Sequence, residues 1–197
     1  MTDAQDMLAL IRGIRGTRVE PGLTAHELEL AAALFDARFP PDLEELLRLG
    51  LPTGQSWPDW RAAARDPEGE AAQKLCESLA WPLKGMLFDI EHDSFWDPQW
   101  GVKPAALADA RRIATEAVQT APRLIPVFAH RYIPTEPHLA GNPVLSVYQA
   151  DIIVYGRTLY TYFIAESKGW AHDLAENARP IRAWTRWMNA EWNASAS

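Results

Sequence analysis

Apolar residues recur every three or four positions through the first third of the chain, then give way to continuous apolar runs. Met7, Leu8, Leu10, Ile11 and Ile14 share one side of a helix over residues 3–15, which Gly16 ends. Thr24-Ala25-His26-Glu27 is a capping box, in which the hydroxyl accepts the Glu27 amide while that carboxylate reaches back. The helix it opens carries Leu28, Ala31, Ala32 and Phe35 inward. Phe39-Pro40-Pro41-Asp42 starts another helix, because proline is tolerated in a first turn whose amides lack partners. Leu43, Leu46 and Leu47 make its stripe, and Gly50 stops it before Leu51-Pro52.

Residues 53–67 read as irregular, with Trp57-Pro58-Asp59-Trp60-Arg61 as their most distinctive part. A helix is predicted over 68–80, after which Trp81-Pro82-Leu83 leads into a short strand, Met86-Leu87-Phe88-Asp89-Ile90. A turn-rich aromatic loop follows, through Phe95, Trp96 and Trp100-Gly101. Residues 104–121 form a helix with Leu107, Ala110, Ile113, Ala114 and Ala117 inward, closed by Pro122.

The stretch Leu124–Gly156 sets two apolar, β-prone runs around a loop rich in proline and glycine, so sheet strands joined through Gly141-Asn142-Pro143 are expected. Leu159, Tyr162 and Phe163 mark a helix stopping near Gly169. Ile181, Trp184, Met188 and Trp192 are spaced for one face of a last helix, with Arg179, Arg182 and Arg186 on its other side. The prediction is an α+β chain with a mostly antiparallel central sheet flanked by helices. It divides into an N-terminal helix (1–16), an α+β domain (17–169) and a helical C-terminal extension (170–197).

Composition narrows the function. The chain has 197 residues, 48% of them hydrophobic and 23% charged, which is globular rather than disordered. A net charge of −7 argues against binding nucleic acid or an anionic membrane and suits a basic partner. Cys76 is the lone cysteine, so no intrachain disulfide or Cys-type zinc site is available, and a small buried apolar role is expected of it. No apolar run approaches the roughly 18 residues of a membrane span, and the first residues lack a secretory pattern, so a cytoplasmic location is expected.

The most chemical-looking cluster is Asp89, Glu91, His92 and Asp93, with His130 and His138 further on. Imidazoles and carboxylates could hold a divalent metal or move a proton, but the spacing matches no ligand motif, and a solvated loop with hydrogen-bonded histidines is the favoured reading. His130 follows Phe128 at strand alternation, so the two share a face, where the imidazole would donate to a carbonyl or carboxylate. Arg131 would point the other way and pair with an acid such as Asp151, which otherwise marks a bend or a cap. Ser146 lacks the glycine frame of a hydrolase nucleophile, Cys76 lacks an activating partner, and no phosphate-cradling loop is present. No catalytic residue, metal or cofactor is predicted, and an enzyme is not expected.

For binding, Trp57, Trp60, Phe95, Trp96 and Trp100, bordered by Asp59, Asp89, Glu91, Asp93 and Asp97, offer aromatic anchors within an acidic rim. The competing expectation is that these indoles cover the chain's own core. The Trp-rich tail face could fold back or pack in a dimer, and folding back is favoured; monomer and homodimer stay open.

Several motifs in order resemble the SUKH superfamily, small α+β proteins related to fungal cell-wall-synthesis regulators. Gly22-Leu23-Thr24 through Phe39-Pro40-Pro41-Asp42-Leu43, with Leu46, Leu47 and Gly50-Leu51-Pro52, is similar to that family's N-terminal signature. Phe95-Trp96, Trp100-Gly101, Ile125-Pro126-Val127, His130-Arg131-Tyr132-Ile133-Pro134 and Gly141-Asn142-Pro143-Val144 through Tyr155-Gly156 resemble its bacterial members. The likeness runs over residues 20–168; the stretch Ala62–Ala80 is longer and more charged than expected, and the tail from Trp170 lies beyond it. The resemblance implies a mostly antiparallel sheet and a binding role. Many bacterial members are immunity proteins that neutralise toxins, often nucleases, of contact-dependent or polymorphic systems. The expectation is an immunity protein that blocks a basic toxin; the alternatives are a regulatory or scaffold protein and, from another class, a metal-dependent enzyme.

Overall fold

The computed structural model describes residues 3–188, and within them the helical spacing of the first third becomes helices packed beside a small strand pair. Helix α1 (Asp3–Arg12) buries Ala4, Met7, Leu8 and Ile11. Strand β1 (Arg18–Pro21) pairs antiparallel with β2 (Gly50–Thr53). Between them lie α2 (Ala25–Phe35) and α3 (Pro41–Leu49). The capping box forms as its chemistry requires: Thr24 Oγ1 accepts from the Glu27 amide at 3.2 Å, and the Glu27 carboxylate accepts from the Thr24 amide at 3.0 Å. Glu27 also takes the Arg61 guanidinium at 2.9 Å. Arg61 first, then the Thr24 amide, pull its carboxyl down to about 2.

Residues 53–67 are not irregular throughout, because Asp59 accepts from the Ala62 amide at 2.9 Å and caps a short helix, α4 (Trp60–Arg65). The strand expected over Met86–Ile90 is the end of one 22-residue helix, α5 (Glu70–Glu91). Met86 and Ile90, four apart, are fully buried, while Phe88 between them is 47% exposed. That is the signature of a helix face rather than a strand face.

Pro82 sits inside α5 and supplies no amide to the carbonyl four residues back, that of Ser78. The Tyr132 hydroxyl donates to that carbonyl instead, at 2.9 Å. A sheet residue thus replaces the missing helix hydrogen bond, and burial holds the phenol in its neutral, donating form. Tyr132→Phe is expected to cost about 1–3 kcal/mol, the range for leaving a buried acceptor without its donor. Urea unfolding measures it, and no change in midpoint would mean that water serves the carbonyl equally well.

The apolar runs of Leu124–Gly156 fold into β3 (Leu124–Phe128), β4 (Arg131–Pro134), β5 (Val144–Tyr148) and β6 (Asp151–Gly156), a four-stranded antiparallel sheet in that order. Asn142, fully buried, pins the β4–β5 connection by donating to Pro134 O at 3.0 Å and Pro137 O at 2.9 Å. Both sheet faces are covered, which is why the strands read as continuous apolar runs rather than alternation. Ile125, Val127, Ile133 and Val144 face a core shared with α1 to α4 and with α7 (Leu159–Lys168). Tyr132, Leu145, Val147 and Ile152 face a second core with the end of α5 and with α6 (Leu107–Thr120). In α6 the buried residues are Ala110 and Ala114, whereas Leu107, expected inward, is exposed in the first turn.

The tail completes the second core. Ile181, Trp184 and Trp187 are buried there, and the arginines expected on the tail's free side are bonded to the rest of the chain. Arg179 donates to Asn142 Oδ1 at 2.6 Å, Arg182 to Thr120 O at 2.9 Å and Arg186 to Asp97 at 2.8 Å. Trp192 lies outside the described residues. The chain is an α+β protein with antiparallel sheets flanked by helices, and no helix among the described residues is long and apolar enough to cross a membrane.

Candidate functional site

The acids and histidines singled out in the sequence do not form a shared metal site; those from Asp89 to Asp93 are occupied locally, whereas His138 Nδ1 is buried with no hydrogen-bond partner among the described residues. Asp89 Oδ2 accepts from the Ala150 amide at 2.8 Å, fastening the β5–β6 turn to α5. Glu91 pairs with Arg111 at 2.8 Å, and Asp93 with Lys103 at 2.5 Å. The His92 ring lies on Phe88, with centroids 4.1 Å apart, and its Nδ1 is 2.7 Å from Phe88 O. No group of three or more His, Cys, Asp or Glu side chains suited to a metal ion occurs among the described residues.

His130 is not on a strand beside Phe128. The β3–β4 register shifts between Pro126 and Phe128, and Ala129 turns with φ 48°, which puts His130 in the connecting turn. Its ring meets Tyr148 edge-on at 6.4 Å. Burial, then the adjacent Arg131 charge, lowers its pKa and favours the neutral imidazole.

Arg131 does not pair with Asp151. Register sets it opposite Ser146, whose hydroxyl accepts from it at 2.9 Å, while Asp151 stands exposed opposite Tyr148, one strand further on. The guanidinium lies 3.8 Å over the Tyr155 ring, with Glu166 of α7 as its acid at 3.9 Å. Nearby, the Tyr162 phenol is raised well above its ordinary range, by burial first and then by the Glu166 charge. Cys76 is exposed rather than buried.

The aromatic residues proposed as one binding face divide between the two cores. Trp57 and Trp60 belong to the α7 side; Phe95 is buried on the other side, with Trp96 and Trp100 packed half-buried against it. Trp60 is 1% exposed and edge-on to Phe39 at 4.9 Å, so it offers nothing to a partner. Trp57 donates its indole N–H to Thr17 Oγ1 at 2.8 Å, and Trp96 donates to Gly101 O at 2.8 Å. Asp59 spends its carboxylate on the cap of α4.

What the fold does assemble is an open groove of about 730 Å³, in the size range of binding clefts. Three segments build it: the β2–α4 loop from Gly54 to Asp59, the α5 face carrying Lys74, Glu77, Ser78 and Trp81, and the β3–β4 turn with His130, above Tyr132. The Ala129 amide donates to Ser56 O at 2.7 Å and ties turn to loop. Trp81 donates to Val147 O at 3.3 Å, which fixes the indole while leaving it 41% exposed. Tyr148, 56% exposed, stands 6.5 Å from it and extends the aromatic lip.

The groove's charge is negative. Asp59, Glu70 and Glu77 border it against one lysine, Lys74, whose amine is already paired to Glu70 at 2.6 Å. The neutral preference of His130 adds little compensation. Of the lining hydroxyls, Ser78 donates to Lys74 O at 3.0 Å and Tyr132 to Ser78 O.

Sequence reasoning missed Glu77 and Trp81 as groove residues, and Tyr148 as the neighbour of Trp81 beside the groove. The signal was Pro82, four residues after Ser78: reading it as inside a helix puts Glu77 and Trp81 one turn apart on a single face. No protein-family model, curated protein or solved structure matches the chain at a significant level.

Proposed function

We propose that this protein is a non-enzymatic, cytoplasmic protein-binding domain of the immunity type, which binds and blocks a basic toxin by occluding its surface. The observation that carries the reading is the groove between α5 and the β3–β4 turn, with exposed aromatic residues at its lip and unbalanced carboxylates around it. Exposed aromatics on a fixed frame are efficient anchors, because little side-chain freedom is lost on binding. A border of negative charge speeds encounter with a basic surface and rejects acidic ones. The overall charge of −7 acts in the same direction. The SUKH resemblance supports the same reading, since blocking a toxin requires a stoichiometric complex and no turnover.

The test is binding to the product of the gene beside this one. Trp81→Ala is expected to weaken that complex roughly ten- to thirtyfold, the effect of losing an interface anchor worth 1–2 kcal/mol. Trp96→Ala, which does not line the groove and donates to Gly101 O instead, should leave affinity within about twofold, as residues outside an interface do. Isothermal titration with circular dichroism as a folding control reads both. Equal losses from the two variants would place the binding surface elsewhere.

A further inference from the structure

The groove is selective about what it holds, and its walls say for what. Glu77 and Trp81 are four residues apart on α5, so an exposed carboxylate stands one helical turn from an exposed indole. Glu77 makes no ion pair with any described residue, whereas Glu70 is engaged by Lys74. Asp59, across the groove, accepts from the Ala62 amide at the start of α4. The indole cannot swing away, because its N–H is bonded to Val147 O. Tyr148 stands beside the indole, with ring centroids 6.5 Å apart.

We infer that the groove receives an arginine from an extended basic segment of the partner, stacked on Trp81 and paired with Glu77. This deepens the protein-binding reading and rests on it. Guanidinium is the matching cation for three physical reasons. It is flat and stacks on an indole face, it is weakly hydrated and so enters a half-covered site at low cost, and its fork spans a carboxylate with two hydrogen bonds. A lysine ammonium matches the charge but neither the plane nor the fork. An acidic or phosphorylated segment meets Glu77, Glu70 and Asp59 with the wrong sign. A second copy of this chain is also a poor occupant, since each copy carries −7.

The full chain, labelled with nitrogen-15, is titrated with the amidated peptide Gly-Arg-Gly-Arg-Gly and with its lysine and glutamate counterparts. The expected result is saturable movement of the Trp81 indole signal and of the amides of Gly54–Trp57 and Ala129–His130. Arginine should bind about two- to fivefold tighter than lysine, the margin that an exposed cation–π contact provides, and glutamate should not bind. Trp81→Ala should abolish the arginine–lysine difference, and Glu77→Gln should weaken both peptides. Equal affinities for arginine and lysine, preference for glutamate, shifts confined to other surfaces, or no shift at millimolar peptide would each overturn the inference.

The two readings fail separately. If the neighbouring gene product protects the groove while the arginine peptide does not bind there, the arginine assignment falls and the binding role stands. If the peptide binds with the stated preference and that product does not bind, the site is real and the toxin partner is wrong.

Discussion

Trp184→Ala is expected to destabilise the protein by about 3–5 kcal/mol, the range for removing a large aromatic from a packed core. The indole is 2% exposed and meets Trp187 edge-on at 4.9 Å. Its N–H donates to Pro122 O at 2.6 Å, where the chain passes from α6 into β3. Alanine would therefore leave a cavity against the sheet and an unserved buried carbonyl, and the two costs add. Trp187 anchors the same turn by donating to Asp97 at 2.8 Å, and Asp97 holds the turn after α5 by accepting from the Gln99 amide. Loosening Trp184 thus loosens a network joining three parts of the chain. Trp170→Ala is the control: that indole is well exposed, and its loss should cost under about 1 kcal/mol. Guanidinium unfolding of the two variants measures the difference. A Trp184→Ala cost below 1 kcal/mol would mean that the tail is an appendage the core can do without.

The contrast between those two tryptophans shows what the sequence could and could not convey. Spacing alone put Ile181, Trp184 and Met188 on one face, and all three pack on the second core, but Trp187, more deeply buried than Met188, was not read as part of that face. Local chemistry was legible wherever neighbouring residues decide the outcome: the Thr24–Glu27 capping box, the Leu43–Leu46–Leu47 stripe and the apolar runs of the sheet. It failed where a distant residue overrides a local signal. Pro82 reads as a helix terminator, yet Tyr132 from the sheet serves the carbonyl it abandons and α5 continues. Strands β1 and β2, each four residues long and each containing a proline, carry too little alternation to be read. The bulge after Pro126 and the turn at Ala129 take His130 off the strand, where alternation no longer places it. The groove was hidden for the same reason: its three segments are separate in sequence, and no local signal shows that they meet.

Gly156→Ala should also destabilise the protein, and it tests a different joint. Gly156 ends β6, and α7 crosses directly over it. A methyl group there would lie 2.5 Å from Tyr162 Cα, 2.7 Å from Tyr162 Cβ and closer still to the Tyr162 amide nitrogen. The obstacle is helix backbone, which cannot rotate aside as a side chain would, so α7 must lift from the sheet. Leu159, Tyr162 and Phe163, fully buried on that face, would lift with it. Overpacking of this kind costs about 1–3 kcal/mol and occasionally more. The sign is informative, because Gly→Ala at an unstrained position stabilises by about 0.4–1 kcal/mol through reduced freedom of the unfolded chain. The movement also reaches the groove: Phe163 stacks on Trp57 at 6.2 Å, and Trp57 lines the groove wall. Gly156→Ala is therefore expected to lower the unfolding midpoint and to weaken binding at the groove, although it touches no residue there. A variant that loses stability but binds with unchanged affinity would show that the groove keeps its shape without α7 in place.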